Sequence, residues 1–441
     1  MATNVSDVVD EARFTGYHWL IVVLCGFMIF LDGFDLTSIS FAAPDFLKFL
    51  GVDRSVVAPV FSAGLFGLTL GALGFGLIGD RWGVKRTFIL CGVFFGIFSI
   101  LTATATSVTT LVLYRFLAGL ALGGATPISI AIASDYMPKR IRTSVVMVMY
   151  ISLALGQVAA GYTYGFFEAF GWRSVFYVGG VLPIVFAPLY IALLPENLEF
   201  LVMKGAAPAR INAILARLAP GRAFNESSFV VAKENKEGFQ PALLFEDGRA
   251  AMTIALWVTF FSSLIALYFF NNWLPVLLTG SGLTKPQIVV ITTALPFGGI
   301  IGTLFAARIV LRRNGFGTAC AGYFLAALAM IVLGLVGGGF VVLAVCTLLV
   351  GLFLIGTQSV LNASCAVVYP PSMRATGVGW GFGIGRIGSV ISPAIAGYLV
   401  SQHWQPSALF MIAALPTLVA SAGAFAVLRI VTRPAAAATY S

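Results

Sequence analysis

The stretch FLDGFDLTSISFAAP, residues 30–44, places two aspartates inside a segment that is otherwise apolar enough to cross a lipid bilayer. Asp32 and Asp35 are three residues apart, so on a helix they lie on the same face. The segment from Tyr17 to Phe41 is long enough to span about 30 Å of hydrocarbon, and Asp32 falls roughly 22 Å along it at about 1.5 Å per residue. Carboxylates are costly at that depth, so the pair predicts a functional site.

The composition of the whole chain agrees with a membrane location. Of the 441 residues, 59% are hydrophobic and 10% are charged, whereas about 25% of residues in soluble domains are charged. We therefore predict an all-α polytopic membrane protein with twelve transmembrane helices in two six-helix bundles. Windows of about 20 apolar residues place these helices at 17–43, 56–79, 87–106, 108–133, 143–167, 174–194, 250–278, 288–311, 316–336, 339–366, 376–400 and 406–429.

The longest polar segment separates the first six predicted helices from the last six. We expect an N-terminal six-helix bundle at 1–194, a cytoplasmic central loop at 195–249 and a C-terminal six-helix bundle at 250–441. Apolar residues recur at helical spacing between Pro208 and Leu218, which predicts a short surface helix in the loop.

The positions of Lys and Arg predict the orientation of the chain. With both termini cytoplasmic, most of the 26 basic residues lie in inner loops and tails, as the positive-inside rule requires. The net charge of +9 therefore reports topology, and we expect lipid but not nucleic acid as a partner. The N-terminus lacks the basic start of a cleavable signal. A bacterial inner (plasma) membrane is the expected location. In this orientation the outer loops hold four basic residues, Lys48, Arg54, Arg173 and Lys285.

The two halves of the chain resemble each other at an offset of 232 to 236 residues. Parallel repeats of six helices are typical of transporters with a binding site near the membrane midplane. Arg142, Ala160-Gly161-Tyr162, Trp172 and Leu182-Pro183 recur as Arg374, Ala396-Gly397-Tyr398, Trp404 and Leu415-Pro416.

Several motifs carry a resemblance to a known family. GLIGDRWGVKR at 76–86 resembles the signature of the major facilitator superfamily, although Val84 stands where the family usually has Arg. Together, DGFD at 32–35, LPENLEFL at 194–201, NWLP at 272–275 and RATGVGW from Arg374, running to Gly385-Arg386, are similar to the aromatic acid/proton symporters of that superfamily. This similarity spans essentially the whole chain.

The resemblance implies the major facilitator fold and proton-coupled import of a small aromatic carboxylate, benzoate-like or hydroxybenzoate-like, by alternating access. It implies a monomer that uses protons and needs no cofactor. It also implies a conformational latch at the cytoplasmic helix ends. For that latch the candidates are Asp80, Arg81, Lys85, Arg86, Asp135 and Arg374.

The acidic residues leave few positions for a proton inside the membrane. Only Asp32 and Asp35 lie deep in a predicted span, and the chain from Arg249 onward contains no Asp or Glu. Two carboxylates about 6 Å apart in a low dielectric repel each other, which favours proton binding by one of them. Arg115 lies at a similar depth in the fourth helix. It either switches its contact on protonation or neutralises one aspartate permanently, and both alternatives stay open.

Arg386 lies about 15 Å into the eleventh helix at about 1.5 Å per residue. Its planar guanidinium suits a carboxylate bidentately, so we interpret it as the ligand of a substrate carboxylate. A pair with Asp32 or Asp35 is the alternative. Amide and aromatic side chains are expected to complete the pocket. The candidates are Asn271, Asn272, Trp273, Gln358, Tyr150, Gln157 and Phe382.

Other chemistries lack their residues in this sequence. The five cysteines are scattered singly through apolar helices, so we predict no metal site. GIGRIG at 383–388 matches GxGxxG but lies inside an apolar span with no strand before it, which excludes a dinucleotide site. We predict a transporter and not an enzyme. A carrier for another organic anion, aliphatic or alicyclic, and an exporter on the same fold stay open as alternatives.

Overall fold

The computed structural model describes residues 3–220, 229–230, 244–246, 248–310, 315–336, 339–369 and 373–432. Within these residues the chain is almost entirely helical, and twelve helices are long and apolar enough to cross a membrane. This confirms the predicted fold class. The short strands β1, Thr3–Asn4, and β2, Phe229–Val230, pair in parallel.

The first half of the chain forms helix α1, six membrane helices and two short helices. Their bounds are α1 Val5–Glu11, α2 Gly16–Leu50, α3 Val57–Trp82, α4 Val84–Thr104, α5 Val108–Tyr136, α6 Arg142–Phe166, α7 Arg173–Leu193, α8 Leu198–Met203 and α9 Pro208–Leu218. Helix α9 confirms the surface helix predicted in the central loop.

The second half forms six further membrane spans. Their bounds are α10 Ala250–Leu278, α11 Lys285–Val310, α12 Gly315–Val336, α13 Phe340–Val368, α14 Arg374–Ser401, α15 Pro406–Ile412 and α16 Ala414–Val431. The last span consists of α15 and α16, which are separated at Ala413.

Helix α2 is longer than the sequence predicts. The predicted span ends at residue 43, whereas α2 continues through Pro44 to Leu50. A proline inside a helix removes one backbone hydrogen bond, but Phe46 and Leu47, which follow it, are buried. Packing of this last segment therefore outweighs the cost of the proline.

The described residues form two compact units. The first comprises the described residues of 1–35, 63–156 and 173–236, and the second those of 36–62, 157–172 and 237–441. Helices α2, α3 and α6 thus contribute residues to both units.

Candidate functional site

Glycines hold the DGFD segment of α2 against two neighbouring helices. A Cβ added to Gly33 would lie 1.9 Å from the carbonyl oxygen of Leu153 on α6, and one added to Gly156 would lie 1.9 Å from the carbonyl oxygen of Phe30. On α7, a Cβ at Gly179 would meet the ring of Phe34 at 3.0 Å. Small residues permit such close approach between membrane helices. The contacts therefore fix which way Asp32 and Asp35 face.

Asp35 forms a buried ion pair with Arg115 of α5. The Nη1 and Nη2 atoms of Arg115 donate to Oδ1 and Oδ2 of Asp35, each at 2.6 Å. The two side chains are only 5% and 6% exposed. The guanidinium also lies 6.0 Å from the ring centroid of Phe176. Both side chains were predicted as site residues, and the structure brings them together as a bidentate pair.

Asp32 has a different partner from Asp35. Its Oδ2 atom accepts a hydrogen bond of 2.6 Å from the hydroxyl of Thr126 on α5, and the residue is 8% exposed. Thr126 was not among the candidates, because a lone threonine in an apolar helix gives no signal in the sequence. A hydroxyl both donates and accepts hydrogen bonds, whereas a guanidinium only donates. The two aspartates therefore differ in how their partners respond to a proton.

Arg386 of α14 lies in the second unit and is half-buried. Its Nη1 atom donates to the hydroxyl of Tyr268 on α10 at 3.2 Å. Among the described residues, no carboxylate lies within ion-pair distance of Arg386, and none accepts from its other guanidinium nitrogens. Tyr268 was missed by sequence analysis because it stands in an aromatic run, YFFNNW, where no residue is distinguished from packing. The arrangement leaves several charged donors available to an anion.

Gln358 of α13 belongs to a chain of polar side chains. Its Oε1 atom accepts from the hydroxyl of Tyr323 on α12 at 2.9 Å, and its Nε2 atom donates to Oδ1 of Asn362 at 3.1 Å. Phe382, one turn before Arg386, packs against Phe260 of α10 with ring centroids 5.4 Å apart. The predicted pocket residues Gln358 and Phe382 thus contact residues that were not predicted. These are Tyr323, Asn362 and Phe260.

The remaining predicted pocket residues make other contacts. Nε2 of Gln157 donates to Oδ1 of Asn271 at 3.4 Å. Asn272 and Trp273 are buried, and Trp273 packs edge-to-face on Phe61. No described hydrogen bond joins these residues to Arg386. Tyr150, in the first unit, is 47% exposed.

One residue that contacts the predicted latch was not among its candidates. Glu196 of the LPEN motif is buried, and its Oε1 atom accepts from the backbone N–H of Lys85 at 3.0 Å. It lies at the start of α4, where unpaired N–H groups favour a carboxylate. A Cβ at Gly83, which has a φ of 98°, would meet Oε2 of Glu196 at 2.7 Å. The carboxylate of Glu196 therefore connects the LPENLEFL motif to the GLIGDRWGVKR motif.

The other latch candidates make simpler contacts or lie outside the description. Nζ of Lys85 donates to the carbonyl oxygen of Ile191 at 2.6 Å, and Asp135 accepts from Asn197. Arg81 and Arg86 are exposed. The side chains of Asp80 and Arg374 lie outside the described part of the structure.

An ionic cluster lies at the predicted outer end of the second unit. Lys285 of α11 is bonded to Asp45 of α2 at 3.1 Å and to Glu168 at 3.3 Å. The hydroxyl of Tyr164 on α6 donates to Asp45 at 2.5 Å. Helices of the first and second halves of the sequence are thus joined here by charged side chains.

In the described part of the chain, twelve apolar helices, of which α2, α5 and α14 hold charged side chains deep in their spans, define an integral membrane protein of the transporter type. The chain belongs to the major facilitator superfamily, because its sequence matches that family over residues 25–386 and 256–440. The twelve-helix fold agrees with this assignment. The xylose transporter XylE of E. coli, solved in an inward-open conformation, matches with a TM-score of 0.75 and 15% identity over 92% of this chain and 96% of that one.

Its relatives are transporters of aromatic acids, as the motifs indicated. The chain is 33% identical to the 4-hydroxybenzoate transporter PcaK of Pseudomonas aeruginosa over 95% of this chain and 94% of that protein. It is 34% identical to the gallate transporter of Pseudomonas putida, with 95% and 93% covered. The benzoate transport protein of Acinetobacter baylyi is 29% identical, with 94% and 90% covered. The predicted family is confirmed, and the chain is a transporter and not an enzyme.

Proposed function

We propose that this protein is a proton-coupled symporter that imports a small aromatic carboxylate by alternating access. One observation carries the proposal: at membrane depth, both guanidinium Nη atoms of Arg115 are bonded to a carboxylate, whereas Arg386 has no carboxylate partner among the described residues. The aromatic acid transporters among its relatives support the substrate class. The proposed protein is a monomer in a bacterial inner membrane, and the distribution of Lys and Arg supports an orientation with both termini cytoplasmic.

Arg386 is the anion-binding residue in this proposal. A half-buried guanidinium without a carboxylate partner favours a bound anion, and its fork matches the two oxygens of a carboxylate. The chain from Arg249 onward has no Asp or Glu to compete for it. Tyr268 orients the guanidinium from α10.

Asp32 is the proton-binding residue in this proposal. Protonation of Asp35 would break a bidentate ion pair, which is costly in a buried site. Protonation of Asp32 leaves the Thr126 contact in place, because the threonine hydroxyl can accept from a carboxylic acid as readily as it donates to a carboxylate. Asp35 and Arg115 then form the fixed part of the site.

Uptake into proteoliposomes tests this function. With an acidic exterior, the purified protein should accumulate labelled 4-hydroxybenzoate or benzoate, and a protonophore should abolish the accumulation. Asp32→Asn should lose uphill uptake but keep counterflow exchange, which needs no net proton release. Asp53→Asn, at an exposed site whose side chain makes no capping bond, is the matched control and should behave as wild type. Accumulation without a pH gradient, or full uphill uptake by Asp32→Asn, would contradict the proposal.

The anion site and the substrate class are tested separately. Arg386→Gln should weaken binding of aromatic acids by at least about 30-fold, because truncating one member of a buried charge pair costs about 2–5 kcal/mol. Arg429→Gln, at the exposed end of α16, is its control. Equal competition by aliphatic acids of similar size would point instead to a general organic-anion carrier, and outward transport alone would point to an exporter.

A further inference from the structure

The chain of hydrogen bonds on α13 ends in an amide with an open donor. Tyr323 donates to Gln358, and Gln358 donates to Asn362. Tyr323 and Gln358 are buried, whereas Asn362 is half-buried. No described residue accepts a hydrogen bond from Nδ2 of Asn362. The oxygen of Asn362 also keeps one lone pair, so this amide can both donate to and accept from a ligand.

The register of α13 and α14 places this amide at the depth of Arg386. A Cβ at Gly377 would lie 2.3 Å from the ring of Tyr369, and one at Gly381 would lie 3.7 Å from Sγ of Cys365. A step of four residues along α14, from 377 to 381, is matched by four residues back, from Tyr369 at the end of α13 to Cys365, so the helices are antiparallel. Continued for about one turn, this register places Arg386 level with residues 358–362.

Two aromatic side chains pack together about one helical turn from Arg386. Phe382 precedes Arg386 by four residues, so both lie on one face of α14. Phe382 packs on Phe260, and a Cβ at Gly381 would lie 3.2 Å from the ring of Phe260. A substrate ring bound against Phe382 and Phe260 would therefore lie about one helical turn from the guanidinium of Arg386, close to the depth that the register gives to residues 358–362 of α13.

We propose that Asn362, held by Gln358 and Tyr323, binds a ring hydroxyl of the substrate whose carboxylate is bound by Arg386. This inference rests on the function proposed above and narrows its substrate to hydroxylated aromatic carboxylates. The relatives do not show whether the substrate carries a ring hydroxyl, since they include transporters of hydroxylated acids and one of benzoate. A site built to hydrogen-bond a hydroxyl discriminates strongly against an analogue that lacks it, because its polar groups are then left without a partner.

Binding of benzoate and 4-hydroxybenzoate to the full-length purified protein tests the inference. Wild type should bind the hydroxylated acid more tightly. Asn362→Leu should weaken binding of 4-hydroxybenzoate by about 10-fold while leaving benzoate within about twofold, since a lost hydrogen bond leaves a polar ligand group unsatisfied. Tyr323→Phe keeps the ring and removes the donor to Gln358, and should reduce the preference by about threefold. Gln402→Leu, exposed beyond the end of α14, is the control.

The outcomes separate this inference from the function on which it rests. If wild type binds both acids equally, or if Asn362→Leu and Tyr323→Phe leave the ratio of the two affinities unchanged, the hydroxyl site is wrong. If Arg386→Gln lowers both affinities in the same experiment, the proposed function still stands. Failure of the wild-type protein to bind either acid overturns both.

Discussion

Arg115 and Arg386 are both arginines inside membrane helices, and their surroundings differ. Arg115 is 4% exposed, is bonded to both oxygens of Asp35 and faces the ring of Phe176. Arg386 is half-buried, and the hydroxyl of Tyr268 is its described partner. One guanidinium is neutralised by Asp35, and the other is the one to which the proposed function assigns the substrate anion.

The contrast separates structural from binding roles for the same residue type. A buried pair is costly to break because the remaining partner stays charged in a low dielectric. A half-buried guanidinium without a carboxylate is already partly desolvated in the folded protein. It therefore gains the most binding free energy from an anion that supplies two oxygens. Loss of Arg115 should therefore appear mainly in stability, and loss of Arg386 mainly in affinity.

The largest expected effect breaks the buried pair. Arg115→Gln should destabilise the folded protein by about 3–5 kcal/mol, because Asp35 is left without its cation. Thermal unfolding of the purified protein in detergent measures this loss. Arg386→Gln should change the unfolding temperature little, and adding Asp35→Asn to Arg115→Gln should recover most of the stability. Equal losses for both single variants would remove the distinction between the two arginines.

The next effect concerns the orientation of the open arginine. Tyr268→Phe removes the hydroxyl that accepts from Arg386, so affinity for the carboxylate should fall about fivefold, equivalent to about 1 kcal/mol. Equilibrium binding of labelled benzoate measures it. Tyr398→Phe alters a tyrosine that is 65% exposed and should leave affinity unchanged. An unaltered affinity in Tyr268→Phe would mean that the guanidinium is held by packing alone.

A smaller effect tests the proton side of the comparison. Thr126→Val removes the hydroxyl partner of Asp32 and keeps the side-chain shape. Uphill uptake should fall about threefold, as expected for the loss of one hydrogen bond, and Thr126→Ser should restore it. Counterflow exchange in Thr126→Val should stay at the wild-type rate. Equal loss of uptake and counterflow would assign Thr126 to packing.

The smallest effect is expected for a third kind of cation, the exposed Lys285. Its side chain is 45% exposed and contacts Asp45 and Glu168. Exposed ion pairs contribute about 0–1 kcal/mol and are screened by salt. Lys285→Gln should therefore lower the unfolding temperature slightly in dilute buffer and not at all near 1 M salt. A loss as large as that of Arg115→Gln would show that burial does not set the scale.

The sequence predicts the depth of charged residues in the membrane better than the direction in which their side chains point. A fixed rise per residue placed Asp32, Asp35 and Arg115 at similar depth, and the structure pairs two of them. Which aspartate takes the arginine depends on the rotation of α2, which is set by Gly33 against Leu153. Contacts between helices distant in sequence decide that rotation, so hydropathy and spacing alone left both aspartates as candidates.

The partners of the predicted residues were harder to find than the residues themselves. Thr126, Tyr268 and Asn362 are neutral side chains common in membrane helices, and their importance comes only from what they contact. Glu196 was visible in the LPEN motif, but its role at the start of α4 depends on a fold that brings it beside Gly83. Charge is rare in a bilayer and therefore conspicuous in the sequence, whereas neutral polar side chains are harder to distinguish from packing residues.

The crossing of α2 and α6 at Gly33 and Gly156 has a mechanical consequence. Each backbone rests on a carbonyl oxygen of the other helix, with no room for a methyl group. Neither helix can roll or slide there without displacing its neighbour. During a transport cycle, α2 and α6 should therefore move together as one rigid pair that carries Asp32 and Asp35. A single methyl group at residue 33 or 156 should force the two helices apart at their crossing.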